Sequence, residues 1–206
     1  GPIVKSELNY KPEQYMASLE QADVPKEIQE FANAKRIADN ELNYGETDKQ
    51  KSLKVLKEAS QNEVIKSIPA YSSFIYLNTS IIYFQTKQFK MAQKNISRLI
   101  LQHDFVNLDN VFQFQVYLLQ IILKVELKNF VSAKENIKTL LSCYKKLLKD
   151  KIYSIDKDLL SIINDIIENK SVQEKISVFI KNYSDTLNPS RTTVIDYILW
   201  VKKYVK

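Results

Sequence analysis

Glycine is nearly missing: two glycines stand among 206 residues, with five prolines, one cysteine, one histidine and one tryptophan. So few glycines leave almost nothing for the φ > 0 turns of β-hairpins, which argues against a hairpin-rich sheet and for long helices joined by short polar turns. A glycine-rich phosphate loop is excluded on the same ground. The single cysteine, Cys143, allows no internal disulfide, and with His103 as the one histidine no Cys/His spacing resembles a zinc site. Long apolar runs are missing too. Residues 71–85 fall short of the ~20 a bilayer needs and are broken by Asn78, Thr79 and Ser80. Residues 111–127 are interrupted by Gln113, Gln115, Gln120, Lys124 and Glu126. No membrane span is expected.

What is present fits one domain of ordinary size over residues 11–206, with a hydrophobic content of 45%. Gly1-Pro2 has the look of a scar left by a cleaved tag, residues 3–10 carry no usable periodicity, and a trimmed leader is compatible with both. A cytoplasmic location is favoured. The formal charge of +6 is uneven: residues 1–66 hold 10 Lys/Arg against 12 Asp/Glu, whereas residues 67–206 hold 20 against 12. Those lysines alternate with acids and hydrophobes, which describes solvated helix faces before it describes an anion-binding run.

The organising feature is an internal repeat. Residues 87–100 return forty-one residues later at 128–141, keeping Lys87/Lys128, Phe89/Phe130, Ala92/Ala133, Asn95/Asn136, Ile96/Ile137 and Leu99/Leu140 in register. Each copy follows a long apolar segment bearing tyrosine, so the unit is a helix pair that must stack on neighbours to bury its faces. The clearest units are 71–101 and 110–149, with the connection 102–110 between them and Asp109 or Asn110 placed to cap the next helix.

The flanks read as further helices. Pro12 opens a stripe of Tyr15, Met16 and Leu19, and Ile28, Phe31, Ala34 or Lys35, Ala38 and Leu42 share one helical face until Asn43-Tyr44-Gly45 stops it. Thr47 to Gln50 reads as a capping box ahead of Leu53, Leu56, Ala59 and Val64, and Ser171 to Glu174 as a second one ahead of Ile176, Phe179, Ile180 and Tyr183. Between them, Ser154 or Asp156 starts a helix with Leu159, Ile162, Ile163, Ile166 and Ile167. Asn188-Pro189 opens a last helix carrying Val194, Ile198, Val201 and Val205, with Tyr197, Trp200 and Tyr204 beside them.

The pattern Tyr76, Tyr83, Phe89, Ala92, Ile96, Leu99 resembles tetratricopeptide-type helical repeats, with Ala92 where two helix backbones approach closely. The second unit keeps Tyr117, Phe130, Ala133, Ile137 and Leu140 but has Lys124 at the second tyrosine position. Ser80 and Ile121 stand where the family places a glycine. The tail around Tyr197 to Val201 is similar to the C-terminal part of large bacterial repeat proteins with no assigned activity. The resemblance implies an all-α fold, an α-solenoid of roughly eight to ten helices in antiparallel pairs, with residues 154–206 as C-terminal capping helices.

Such families are binding scaffolds whose first helices line a groove, which here implies Phe74, Leu77, Asn78, Ile81 and Gln85 in one unit and Gln115, Leu118, Leu119, Ile122 and Glu126 in the next. The clamp that some members use for C-terminal carboxylates is missing at these positions. The expected function is a non-enzymatic protein-binding or assembly scaffold holding an amphipathic helix or an extended hydrophobic segment of another protein or peptide. RNA binding through the basic surface of residues 87–206 is the alternative. No cofactor and no metal are expected. Cys143, in register with Leu140 and Leu147, reads as a buried small hydrophobe and His103 as a solvated loop residue. The chain's own terminal helices are the rival occupants of the groove.

Overall fold

The computed structural model describes residues 26–39, 44–67, 69–184 and 193–206. Among these residues are ten α-helices, three 3₁₀ turns and no strand, so the fold is all-α. The helix expected from Pro12 and the helix start expected at Asn188-Pro189 lie outside the described residues. The chain divides into two compact units, Gly1–Val116 and Tyr117–Lys206.

In the first unit, α1 (Lys26–Asp39) buries Phe31, Ala34, Lys35 and Ala38 on the expected face. Gly45, expected with Asn43 and Tyr44 to stop the preceding helix, is non-helical and is the N-cap of α2 (Glu46–Gln61), with extended φ −73° and ψ 170°, its carbonyl accepting from the amides of Asp48 and Lys49; Leu42 and Asn43 lie outside the described residues. Thr47 therefore lies inside the first turn and caps nothing, while Glu46 and Asp48 put negative charge at the positive end of the helix. The α2 register breaks at Asn62, whose side chain accepts from Val64 and Ile65 to open the single turn α3 (Glu63–Lys66). Ile65 is thereby buried and Val64, expected on the apolar stripe, is 65% exposed.

Helix α4 (Pro69–Gln85) is apolar on most sides and is buried accordingly, with Ile75, Leu77, Ile81 and Ile82 in the core. It folds back through three residues onto α5 (Phe89–Ile100), and the Phe84 and Phe89 rings meet edge to face at 5.5 Å across the turn. Between the two helices of this hairpin the fully buried Ser80 hydroxyl donates to the Ala92 carbonyl at 2.8 Å. The serine is thus the small residue that the crossing requires, and its hydroxyl is satisfied. A 3₁₀ turn (His103–Asn107) leads to α6 (Asn110–Glu126), which Asp109 caps by accepting from Val111 and Phe112.

The second unit holds the rest of α6, then α7 (Phe130–Cys143), two 3₁₀ turns (Leu147–Lys149 and Lys151–Tyr153), α8 (Ser154–Ile167), α9 (Gln173–Tyr183) and α10 (Tyr197–Lys202). The helix expected to reach residue 149 ends at Cys143, where Tyr144 leaves the helical region at φ −107° and ψ 23°. Cys143 is accordingly exposed, correcting its expected burial, because the turn that would have packed it beside Leu147 does not form. The second capping box is also displaced: α9 starts after Val172, and no side chain caps it. Residues 193–196 are not helical, so the last helix is shorter at its start than expected. Asp196 caps α10 by accepting from Leu199 at 2.9 Å, following a β-branched pair, Val194-Ile195, that favours extended backbone.

The repeat recurs once more than its sequence signature. Among the described residues the positive-φ positions are Lys87, Lys128 and Asn169 (60°, 60° and 55°), each forty-one residues beyond the last. Each makes the same pair of bonds: its own amide to the carbonyl three residues back, and the next amide to the carbonyl five residues before it. This is the Schellman ending of a helix, built here without glycine. Two residues inserted after Asn169 then shift α9, so Ile176 takes the register place of Ala92 and Ala133, all three fully buried. A branched side chain at that place erases the Phe-x-x-Ala signature and keeps the hairpin.

Two outcomes follow for stability in urea. Ala92→Leu should cost about 1–3 kcal/mol by overpacking the crossing, and Ser80→Ala about 1 kcal/mol, while Lys94→Ala on the exposed face should stay within about 0.5 kcal/mol. Lys87→Gly and Lys128→Gly should each raise stability by up to about 1 kcal/mol through relief of left-handed strain, and Asn169→Gly by less, since asparagine tolerates that region. A uniform response of the three turns would contradict this account of them.

Candidate protein-binding surface

The ten residues expected to line a groove sit on α4 and α6. Leu77, Asn78, Ile81, Gln115, Leu118, Leu119 and Ile122 are buried, and Phe74, Gln85 and Glu126 are half-buried. In the first unit α1 lies against α4: the Phe31 and Tyr71 rings meet at 6.0 Å, and Gln85 donates to the Ala38 carbonyl at 2.7 Å. Phe74 is edge-on to Phe112 at 6.2 Å. Asn78 donates back to the Phe74 carbonyl, and its side-chain oxygen, like that of Gln85, meets no donor among the described residues. A side chain 1% exposed, as Leu77 is, offers no surface to a partner until its covering helices move.

In the second unit the polar end of that set is occupied by the chain's own C-terminus. Trp200 in α10 donates its indole N–H to the Glu126 carboxylate at 2.6 Å, and Lys203 pairs with the same carboxylate, which is 9% exposed. The Lys203 ammonium lies 5.4 Å from the Trp200 ring centre and 5.1 Å from that of Tyr204, adding cation–π attraction. Tyr197 donates to the fully buried Asp156 of α8, so α10 is tied down at both ends.

Open surface lies elsewhere in this unit. A cleft of about 630 Å³ runs between α7 and α8, lined by Lys134, Ile137, Lys138 and Leu141 on one wall and Lys157, Leu160, Ser161 and Asn164 on the other, with Glu135 at the edge. Each wall is a ridge at i, i+3, i+4 and i+7, the spacing that stacks side chains along one helix face. Ile137 and Leu160 form a closed apolar floor at 5% and 2% exposure, and Leu141 stands open at 41%. Lysine stems extend that hydrocarbon while their ammonium groups stay wet. Sequence reasoning missed this site because it lies between two consecutive hairpins, whereas the repeat register points to the first helix of each.

The charges around the cleft are arranged unevenly. Lys134 and Lys170 both hold Glu168, at 3.1 and 2.7 Å, and the hydrogen bonds from Lys170 and then Lys134 bring that carboxyl down to about 2. On α9, Lys175 binds Asp165 and donates to Ser161. Lys138 and Lys157 make no ion pair among the described residues. Lys124, the residue in the tyrosine place of the repeat, donates to Ser132 at 2.7 Å; burial lowers its pKa, and the nearby Glu135 opposes that shift.

The remaining candidates separate. His103 is 96% exposed on its 3₁₀ turn beside Asp104, and Cys143 is exposed at the end of α7, where Tyr117 and Tyr144 meet at 6.4 Å. Burial foremost pushes Tyr144 up to about 12 and raises Tyr117 as well. None of the described tyrosines is exposed, and Tyr153 and Tyr197 are buried. No described helix is long and apolar enough to cross a membrane. No family model, curated protein or solved structure matches the chain.

Trp200 is the sole tryptophan, so its fluorescence reports the attachment of α10. Glu126→Ala leaves the buried indole N–H and Lys203 without their acceptor and should red-shift the emission, with a loss of about 1–3 kcal/mol in the transition it follows. Unchanged emission and an unchanged midpoint would show that this anchor contributes nothing.

Proposed function

We propose that the protein is a non-enzymatic binding scaffold, an α-solenoid of tetratricopeptide-like hairpins that holds a helical segment of another protein in the α7–α8 cleft. The observation that carries this reading is the pairing of two parallel-spaced ridges around an apolar floor, with Leu141 left uncovered. A helix presents side chains at the same spacing and fits such a trough as a third packed helix. The hairpin recurring at Lys87, Lys128 and Asn169 supports the solenoid, since units of this kind bury their faces by stacking on one another.

The non-enzymatic part rests on the setting of the two candidate reactive side chains. His103 and Cys143 are each exposed, one on a turn and one at a helix end, in surroundings that exclude no water and orient no substrate. Binding through the buried α4 and α6 residues first named would require the elements packed over them to move, and binding at Glu126 would require the Trp200 anchor to give way.

Peptides selected from a random displayed library test the proposal. Enriched sequences should carry apolar residues at helical spacing, and Leu141→Asp should weaken their binding by about tenfold or more, as expected of a central contact. Val178→Asp, at an exposed apolar position on α9 that does not line the cleft, should leave affinity unchanged. Selected peptides indifferent to Leu141→Asp would remove the cleft from consideration.

A further inference from the structure

We infer that the segment held by the α7–α8 cleft is an acidic amphipathic helix, with an apolar stripe on the Ile137–Leu141–Leu160 floor and carboxylates facing Lys138 and Lys157. The inference rests on the cleft being the binding site and adds the chemistry of its occupant. The cleft spans residues 134–141 of α7, about 10 Å of helix or two turns, so two or three apolar side chains of the partner reach the floor. Flanking positions of such a partner then meet the rim, where the charge is decided.

Of the four charged side chains lining the cleft, three are lysines. Lys134 is engaged by Glu168 at 3.1 Å, which leaves Glu135 as the one carboxylate among the lining residues against Lys138 and Lys157. Lys138 and Lys157 are exposed, stand on opposite walls, and carry no ion pair among the described residues. An approaching helix with carboxylates along both edges meets a positive charge on each side, and a lysine-rich one meets repulsion on each side. A phosphodiester strand would satisfy the lysines and leave the hydrocarbon floor uncovered, and no described tyrosine stands out as a stacking platform for its bases.

The Lys134, Lys138 and Leu141 set belongs to one copy of the repeat. The corresponding positions of α5 are Gln93, Ser97 and Ile100, and those of α9 are Ser177, Lys181 and Ser184. Conditions that merely keep a hairpin folded and wet are met by all three sets. Only the α7 set combines an open leucine with two lysines.

The test uses the full chain and two labelled synthetic peptides of about four helical turns. Both carry leucine at i, i+3, i+4 and i+7; one has glutamate at the flanking positions and the other lysine. In fluorescence anisotropy the glutamate peptide should bind about tenfold or more tightly than its lysine twin, with the gap closing as salt rises. The double variant Lys138→Glu/Lys157→Glu should invert the preference, a gain of lysine-peptide binding that a misfolded protein cannot produce. Leu141→Asp should weaken both peptides. Equal binding of the twins, or a preference unmoved by the double variant, overturns the acidic occupant while sensitivity to Leu141→Asp still upholds the cleft. Insensitivity to Leu141→Asp overturns the cleft itself. Displacement of the glutamate peptide by oligouridylate at comparable concentration overturns the protein partner in favour of nucleic acid.

Discussion

Three residues in the left-handed region turn this chain back on itself, and the rest of the architecture depends on them. Lys87, Lys128 and Asn169 each end a helix with the same two hydrogen bonds, satisfying carbonyls that the helix leaves over. Conformation of this kind favours glycine, and lysine holds it at a cost of roughly 1–2 kcal/mol. What offsets that cost is packing downstream of the turn. The residue four places after each N-cap, Ala92, Ala133 or Ile176, is fully buried, so each hairpin closes on its own inner face. The scarcity of glycine that argues against hairpins of strands is thus compatible with hairpins of helices, where one strained residue is supported by two whole helices.

Much of the helical organisation was legible because it rests on periodicity. The apolar stripes of α1, α5, α7 and α8 recur at three and four residues, and Phe31, Ala92, Ile96, Leu99, Ala133, Ile137, Leu140, Leu159, Ile162 and Ile163 on them are buried, while Ile166 and Ile167 are half-buried. Boundaries were less legible because several residue types compete for one terminus. Thr47 and Ser171 carry capping-box spacing, yet the helices begin at Glu46 and Gln173, one residue before the first and two after the second. Asn62 and Asp196, which lack that spacing, do cap helices. Cys143 illustrates the cost of extending a period past a helix end: continued helix would bury it, and the turn at Tyr144 exposes it.

The candidate site was legible only as far as its elements. The register of the repeats that the chain resembles points to the first helix of each hairpin, and contacts within the chain engage both of those helices: α4 supports α1 and α5 at once, and Glu126 of α6 receives the indole and the ammonium of the C-terminal segment. Excess apolar surface in a sequence identifies a face that needs covering, without saying whether the same chain covers it. That distinction requires coordinates. Trp200, which sequence reading could place either on the preceding helices or on a partner, pairs with a residue seventy-four positions away that no local pattern links to it.

On α7 the open cleft residues stand one step from the repeat positions, and Ile137 belongs to both sets. Ala133, Ile137 and Leu140 face inward and are held to their types by packing, so substitution there is limited by volume. Lys134, Lys138 and Leu141 are each one step further round the helix, where volume imposes no limit and charge is free to differ between copies. The side chains that a repeat keeps constant therefore describe how the fold stands up. Those it lets vary, lysine against serine at 138 and 97, describe what one copy offers that the other does not. On a chain with no glycine-rich loop and with none of its described tyrosines exposed, that difference between copies is the part of the surface where specificity has room to reside.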